Sequence, residues 1–124
     1  MKIYLAAPYA EMQRVREWAA RLEAVGHSIT SKWIYGNEEG RTLHAAAQMD
    51  LDDIDVADAV VSMVLPKGTM FSSGGRHVEF GYGFARDKLM IIVGDGENIF
   101  HEHDSVVKCP ALLDVIDYLK RLTT

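Results

Sequence analysis

Strand-like and helix-like segments alternate along this chain, and that alternation limits the folds open to it more than any other feature. Residues 59–65 and 89–93 are nearly continuous apolar runs, which are typical of central strands covered on both faces. Residues 76–87, between them, are predicted to form a helix rich in small side chains. Residues 9–25 repeat apolar side chains at spacings of three and four, which predicts an amphipathic helix.

The other segments extend the same alternation. Residues 2–7 and 27–34 are predicted strands, and 42–57 is a predicted helix. A short edge strand at 106–107 and a last helix starting near Pro110 complete the order. This order predicts a three-layer α/β fold, with a central parallel sheet of about five strands and helices on both faces.

Ligands of such sheets bind at the carboxyl ends of the strands. The site is therefore expected in the loops that follow Ala7, Ile34, Leu65 and Val93, and Ala7 itself is a predicted substrate contact.

Composition narrows the class of protein and of partner. The 124 residues predict a single domain, 1–124, and the net charge of −5 argues against a nucleic-acid polymer as partner. No apolar run approaches the roughly 20 residues of a membrane span. Cys109 is the only cysteine, which excludes an internal disulfide and favours the cytoplasm. We therefore expect a small-molecule ligand.

The segment from Ser72 to Arg76 joins a buried strand to a helix. Gly74 and Gly75 would let the backbone approach a ligand closely, and the free N–H groups of a helix start favour an anion. Ser73 and Arg76 could add donors, so the segment predicts a cradle for a phosphate or a sugar hydroxyl. It matches neither the Walker A motif nor the dinucleotide fingerprint. The alternative is a flexible loop with a serine cap.

Glu79 follows near the start of the same helix, where the helix dipole favours an ionised carboxylate. The alternative is a structural ion pair with Arg76. Gly81, Gly83 and Ala85 are poor choices for a solvent-facing helix, so they suggest close approach by another backbone or by a partner subunit. A homodimer or higher homo-oligomer is the resulting prediction.

An acidic run, Asp50, Asp52, Asp53, Asp55 and Asp58, occupies residues 50–58, and most of it is expected to be a solvated surface. Helical spacing places Asp52 and Asp55 on the polar face and Asp50 along the edge of the apolar stripe. Partial burial there predicts a raised pKa for Asp50, as a general acid requires. Asp50 could instead be a buried acceptor of backbone hydrogen bonds, or an N-cap if the helix breaks there.

Three aromatic or imidazole features could contribute to a site. His101 and His103 lack an obvious third ligand, so no metal is predicted. Trp33, near the end of the second predicted strand, could stack on a base or close the core. Tyr4 lies inside the first strand, where a carboxylate would satisfy its hydroxyl.

Several of these segments together resemble one enzyme family. They are the opening Lys-Ile-Tyr-Leu-Ala, Asp50, the strand start at 57–61, the stretch Gly-Gly-Arg-His-Val-Glu-Phe-Gly-Tyr-Gly-Phe-Ala at 74–85, and Lys88 with the strand 90–94. The chain resembles the nucleoside 2-deoxyribosyltransferase family, including relatives that hydrolyse 2′-deoxynucleoside 5′-monophosphates. The resemblance spans nearly the whole chain.

The resemblance implies a flavodoxin-like five-stranded sheet and cleavage of an N-glycosidic bond without metal or organic cofactor. Glu79 would attack the anomeric carbon, Asp50 would handle the proton of the base, and Tyr4 would hydrogen-bond the nucleophile. Two carboxyl groups in different environments are a general solution for this chemistry.

The same resemblance suggests substrate contacts. Ser73 and Gly75 match residues that hold a 5′-phosphate in the hydrolases, and Asn98 matches an asparagine that a neighbouring subunit places on the sugar. Transfer of a deoxyribosyl group to another nucleobase is the first hypothesis, and hydrolysis of a monophosphate is the second. A non-catalytic nucleotide-binding module is the hypothesis from another class. The chain is shorter than classical transferases, and Arg76-His77 replaces smaller residues of the hydrolases.

Overall fold

The computed structural model describes residues 1–38, 40–66, 68–69 and 74–123. Within these ranges strands and helices alternate as predicted, and the edge strand after the last loop is present. In chain order they are β1 (Lys2–Ala6), α1 (Met12–Ala24), β2 (Ser28–Ile29), α2 (Leu43–Asp55), β3 (Ala59–Met63), α3 (Gly75–Ala85), β4 (Leu89–Val93), β5 (Val106–Cys109) and α4 (Leu112–Leu122). Short 3-10 helices cover Tyr9–Glu11, Lys32–Tyr35 and Ile99–Glu102.

The five strands form one parallel sheet in the order β2-β1-β3-β4-β5. This is the flavodoxin-like order, in which ligands bind outside the carboxyl ends of β1 and β3. All five residues of β3 are buried, and so are the last four of β4, because helices cover both faces of the sheet. The predicted three-layer α/β fold is therefore confirmed.

Helix α3 lies unusually close to the sheet. A Cβ added to Gly83 would stand 2.7 Å from Cγ2 of Val60 and 3.3 Å from Sδ of Met90. The small residues of this helix predicted a close approach by another backbone or a partner subunit. At Gly83 the close contact is with the sheet of the same chain. Gly81 differs, since a Cβ there would meet nothing within 4 Å.

The second strand is much shorter than predicted. It ends at Ile29, and the chain then continues into the 3-10 helix Lys32–Tyr35, so the predicted strand 27–34 is wrong beyond its first residues. Side chains replace the missing part of the ladder: Leu5 N–H donates to Oγ of Ser31 at 3.0 Å, and Nε1 of Trp33 donates to the Leu5 carbonyl at 2.8 Å. The backbone of β1 is thus satisfied without a longer neighbour.

The helices are short. Helices α1 and α2 have 13 residues each, and α3 and α4 have 11. In the part of the chain that the structure describes, no helix combines the length and apolar character needed to cross a membrane.

Candidate active site

A cleft of about 110 Å³ opens at the carboxyl ends of the strands. Six of the residues that line it were assigned to a site from sequence: Ala7, Trp33, Asp50, Gly75, Arg76 and Glu79. Binding sites for whole drug-sized ligands occupy about 300–1,000 Å³. The cleft that the described residues form is smaller than that range.

Glu79 and Tyr4 form the hydrogen bond that the sequence suggested for them. Tyr4 is fully buried in β1, and its hydroxyl donates to Oε2 of Glu79, which is half-buried at the start of the second turn of α3. Burial raises the pKa of Tyr4 well above its ordinary value, as does the charge of Glu79. The hydroxyl therefore keeps its proton and remains a donor.

The pKa of Glu79 differs from the expectation based on the helix dipole. Burial raises this pKa, the hydrogen bond from Tyr4 lowers it, and the charge of Glu38 raises it. The net pKa of Glu79 is about 7. A helix dipole is worth about 0.3–1 kcal/mol near an exposed terminus, which is too little to offset this burial. The carboxyl group of Glu79 is thus poised between its two protonation states near neutral pH.

Asp50 has the raised pKa that its position on the helix predicted. It is half-buried inside α2, which excludes the N-cap alternative. Burial, followed by the neighbouring acidic groups of Glu38 and Glu79, raises the pKa of Asp50 to about 9. Its Oδ1 atom is buried and accepts no hydrogen bond from any described residue. The group is therefore a protonated carboxyl at pH 7, in a residue that lines the cleft.

Asp53, one turn further along α2, is the member of the acidic run that is fully buried. It is only 2% exposed, accepts a hydrogen bond at 3.1 Å from the backbone N–H of Lys32, and forms an ion pair with the Lys32 ammonium. The expectation of a solvated surface is confirmed for Asp52, Asp55 and Asp58, which are exposed. It is wrong for Asp53. The Lys32 contacts tie α2 to the segment that carries Trp33.

Trp33 both closes the core and lines the cleft. Its side chain is 4% exposed, its Nε1 donates to β1, and its ring centroid lies 6.4 Å from that of Tyr9, another residue of the cleft wall. The two interpretations of Trp33 from sequence are therefore compatible.

Gly75 is the first residue of α3 and faces open space. A Cβ built on it would meet nothing within 4 Å, and Gly74 before it has a φ of +85°, a conformation that favours glycine. The first N–H groups of a helix have no partner inside the helix, so they can bind a ligand oxygen. Ser72 and Ser73, the predicted hydroxyl donors of this loop, lie outside the described residues.

Arg76 does not pair with Glu79 but with Glu97. The guanidinium is buried, and its Nη1 and Nη2 atoms bind the two oxygens of the Glu97 carboxylate, with 2.6 Å between Nη2 and Oε2. Burial alone would raise the pKa of Glu97, but the bonds from Arg76 and from the Leu65 N–H bring it below its ordinary value. The charge of Arg76 is therefore balanced within the protein, although its Nε atom is buried with no hydrogen-bond partner.

Asn98 lies outside this cleft. Its Oδ1 accepts hydrogen bonds from the N–H groups of Phe100 and His101, at 3.0 Å and 3.3 Å, and it lines a separate hollow with Gly81 and Phe100. A contact of Asn98 with the sugar through a neighbouring subunit stays a prediction.

The two histidines have structural partners. Nδ1 of the buried His101 accepts a hydrogen bond from the Glu97 N–H, and His103 contacts Ser105. Among the described residues, no group of three or more acidic, histidine or cysteine side chains is arranged to hold a metal ion.

Sequence reasoning missed Glu38 and Glu97. Glu38 is half-buried in the turn after Lys32–Tyr35 and lines the cleft beside Asp50. Glu97 lies in the loop after β4. Both residues are in turns, where no periodicity separates a buried carboxylate from a solvated one.

The fold resembles that of a solved structure over nearly the full length of this chain. The solved structure is that of the Clostridium botulinum CMP N-glycosidase BcmB, with a TM-score of 0.67 and 18% sequence identity. The comparison covers 98% of this chain and 99% of that one. No protein-family model matches the chain, and neither does any curated protein. The chain therefore shares its fold, from end to end, with a CMP N-glycosidase.

Proposed function

We propose that this protein cleaves the N-glycosidic bond of a nucleoside or nucleotide through a covalent intermediate on Glu79. The observation that carries the proposal is the pair of carboxyl groups in one cleft, with a pKa of about 7 at Glu79 and about 9 at Asp50. Between these values one group is ionised while the other holds a proton, which is the division of roles that glycosidic cleavage requires.

In the first step the carboxylate of Glu79 attacks the anomeric carbon and forms an ester. The bond from that carbon to the base nitrogen breaks, its electron pair leaves with the base, and Asp50 supplies the proton to the leaving base. Tyr4 holds the carboxylate in place through its hydrogen bond to Oε2.

In the second step an acceptor releases the sugar from Glu79. A second nucleobase attacks the same carbon through a ring nitrogen, or water attacks it through oxygen, and either nucleophile gives its proton to the Asp50 carboxylate. Both routes restore the Glu79 carboxylate and the Asp50 carboxyl. Transfer differs from hydrolysis only in which nucleophile reaches the ester.

Transfer of a deoxyribosyl group to another base remains the first candidate, from the family resemblance. Hydrolysis of a 5′-monophosphate is the second, and two observations favour it: the shared fold with a CMP N-glycosidase, and the open space at Gly75 beside the α3 start. Ser73 would complete that phosphate cradle. A nucleotide-binding module without turnover is the third outcome that the experiment below separates.

The test is incubation with each nucleoside, deoxynucleoside and 5′-monophosphate, with and without a second free base, followed by chromatography. A new nucleoside that forms only with added base indicates transfer, and free base without an acceptor indicates hydrolysis. Glu79→Gln is expected to abolish turnover, while the exposed, matched Glu17→Gln keeps it. Substantial turnover by Glu79→Gln would refute the assignment of Glu79 as the nucleophile. Binding without turnover by the unmodified protein would support the non-catalytic nucleotide-binding module instead.

We also propose a homo-oligomer, in which Asn98 of one subunit reaches the sugar bound by another. Around the hollow lined by Gly81 and Asn98, the chain exposes Phe100, which is 61% accessible. Light scattering should give at least a dimer. Mixing Glu79→Gln with Asn98→Ala, each inactive alone, should restore some activity, because one mixed site has both native residues. A monomer, or no restoration, would contradict the proposal.

A further inference from the structure

Glu38 lines the cleft with Glu79 and Asp50, but the proposed mechanism does not use it. It is half-buried and lies in the turn after the 3-10 helix Lys32–Tyr35. The Glu38 carbonyl accepts the Arg41 N–H at 3.1 Å, which holds the backbone of this turn. None of the ion pairs between described residues includes Glu38, so no described cation balances its charge.

The strongest donors of the cleft wall are already used inside the protein. Nε1 of Trp33 donates to the Leu5 carbonyl at 2.8 Å. Both terminal nitrogens of the buried Arg76 guanidinium donate to the carboxylate of Glu97. The side of the wall that carries Glu38 therefore favours a ligand edge that donates hydrogen bonds over an edge that accepts them.

The two ends of the cleft suit different parts of a nucleoside. Gly75 and Glu79 are four residues apart on α3, so they lie on the same face of that helix. The free N–H groups at the α3 start suit the 5′ end of the sugar. Asp50 comes from α2, and Glu38 comes from the turn before α2. With the anomeric carbon at Glu79, the base therefore extends toward Asp50 and Glu38.

The leaving base gains positive charge when it takes the proton that Asp50 supplies. In cytosine and adenine, a ring nitrogen next to the exocyclic amino group can accept a proton, and the amino group shares the resulting charge. A carboxylate that accepts a hydrogen bond from this amino group binds it more strongly as the charge grows. In uracil and hypoxanthine a keto oxygen takes the place of the amino group, and its lone pairs would face the carboxylate.

We infer that Glu38 selects the leaving base: its carboxylate accepts a hydrogen bond from an exocyclic amino group, so the cleft takes cytosine and adenine in preference to uracil and hypoxanthine. The inference rests on the proposed function, because Glu79 and Asp50 set the orientation of the ligand. Glu38 is thus a specificity-determining residue. It neither gains nor loses a proton in the cycle, and it does not touch the reacting carbon.

The first measurement is kcat/KM for pairs of substrates that differ only in an amino group or a keto oxygen. The pairs are cytidine with uridine and adenosine with inosine, each also as the 2′-deoxynucleoside and the 5′-monophosphate. We expect the amino member of each active pair to be favoured about 10- to 100-fold, which is the effect of one hydrogen bond to a charged group. Equal rates, or a preference for the keto member, would overturn the inference.

Variants of Glu38 assign the preference to its carboxylate. Glu38→Gln keeps the size of the side chain but loses the charge, and its amide can donate to a keto oxygen, so the preference should fall about tenfold. Glu38→Asp keeps the charge on a shorter side chain and should retain part of the preference, while the exposed control Glu17→Gln should retain all of it. An equal loss of kcat/KM for both members of a pair would indicate a merely structural role and overturn the inference.

The second measurement needs no turnover. Calorimetry gives the Kd of Glu79→Gln for the same pairs as 5′-monophosphates, and the double variant with Glu38→Gln repeats the measurement. The amino member should bind about tenfold more tightly to Glu79→Gln, and the double variant should lose this difference. An amino preference in binding without turnover by the unmodified protein would refute the proposed function alone. Turnover without any amino preference would refute the inference alone, so the two failures are distinguishable.

Discussion

Tyr4→Phe isolates the hydroxyl that holds the proposed nucleophile. Phe keeps the ring that fills the core, while the donor to Oε2 of Glu79 is lost. Because this hydrogen bond lowers the pKa of Glu79, its removal must raise that pKa above the present value of about 7. The variant should therefore need a higher pH to ionise Glu79.

The size of the change follows from the strength of the lost bond. A hydrogen bond to a charged group is worth about 1.5–3 kcal/mol, and one pKa unit corresponds to about 1.36 kcal/mol. The pKa of Glu79 should rise by about one to two units. At pH 7 the ionised fraction falls from about one half to between about a tenth and a hundredth, so kcat/KM falls about 5- to 50-fold.

The assay is kcat/KM between pH 5.5 and 10, with the matched variant Tyr82→Phe as control. The Tyr82 hydroxyl donates to Asp55 away from the cleft, so its loss should leave the profile unchanged. In Tyr4→Phe the acid limb should move up while the basic limb, set by Asp50, stays near pH 9. A lower rate with an unmoved acid limb would refute this role of Tyr4, provided that circular dichroism shows an intact fold.

Three further predictions concern stability. Gly83→Ala should cost about 1–3 kcal/mol in chemical denaturation, because the added Cβ would overlap the stiff side chain of Val60; an unchanged midpoint would contradict this contact. Glu97→Ala should lower the free energy of unfolding by about 3 kcal/mol, since it leaves the buried guanidinium of Arg76 without a counterion. A loss below about 1 kcal/mol would show that water reaches that cation. Folding raises the pKa of Asp50 from 3.8 to about 9, so the contribution of Asp50 to the free energy of unfolding falls as pH rises through that range. The Tm advantage of Asp50→Asn over the unmodified protein should therefore grow from pH 5 to pH 9, and a constant difference would argue against the raised pKa.

Periodicity made the sheet and the position of Asp50 predictable. The apolar runs at β3 and β4 are long enough to require cover on both faces, and the spacing along α2 fixes which side chains approach the core. That spacing alone places Asp50 at the edge of the apolar stripe, and its raised pKa follows from the same position.

The errors come from contacts that local patterns do not encode. The local pattern of residues 27–34 predicts a strand. In the structure, Ser31 and Trp33 instead form side-chain hydrogen bonds with the β1 backbone, where a longer strand would form backbone hydrogen bonds. Glu38 lines the cleft together with Asp50, and Glu97 forms its ion pair with Arg76 on another element. Long-range partners of turn residues leave no periodic signal in a single sequence.

The early end of β2 also affects the entropy of ligand binding. Trp33 is held by its bond to the Leu5 carbonyl and is almost wholly enclosed before any ligand arrives. An indole fixed in this way has already lost its rotamer freedom during folding, so a ligand that contacts it orders nothing new on that wall. The affinity of this side of the cleft then depends on the fit of the ligand to a preformed aromatic surface.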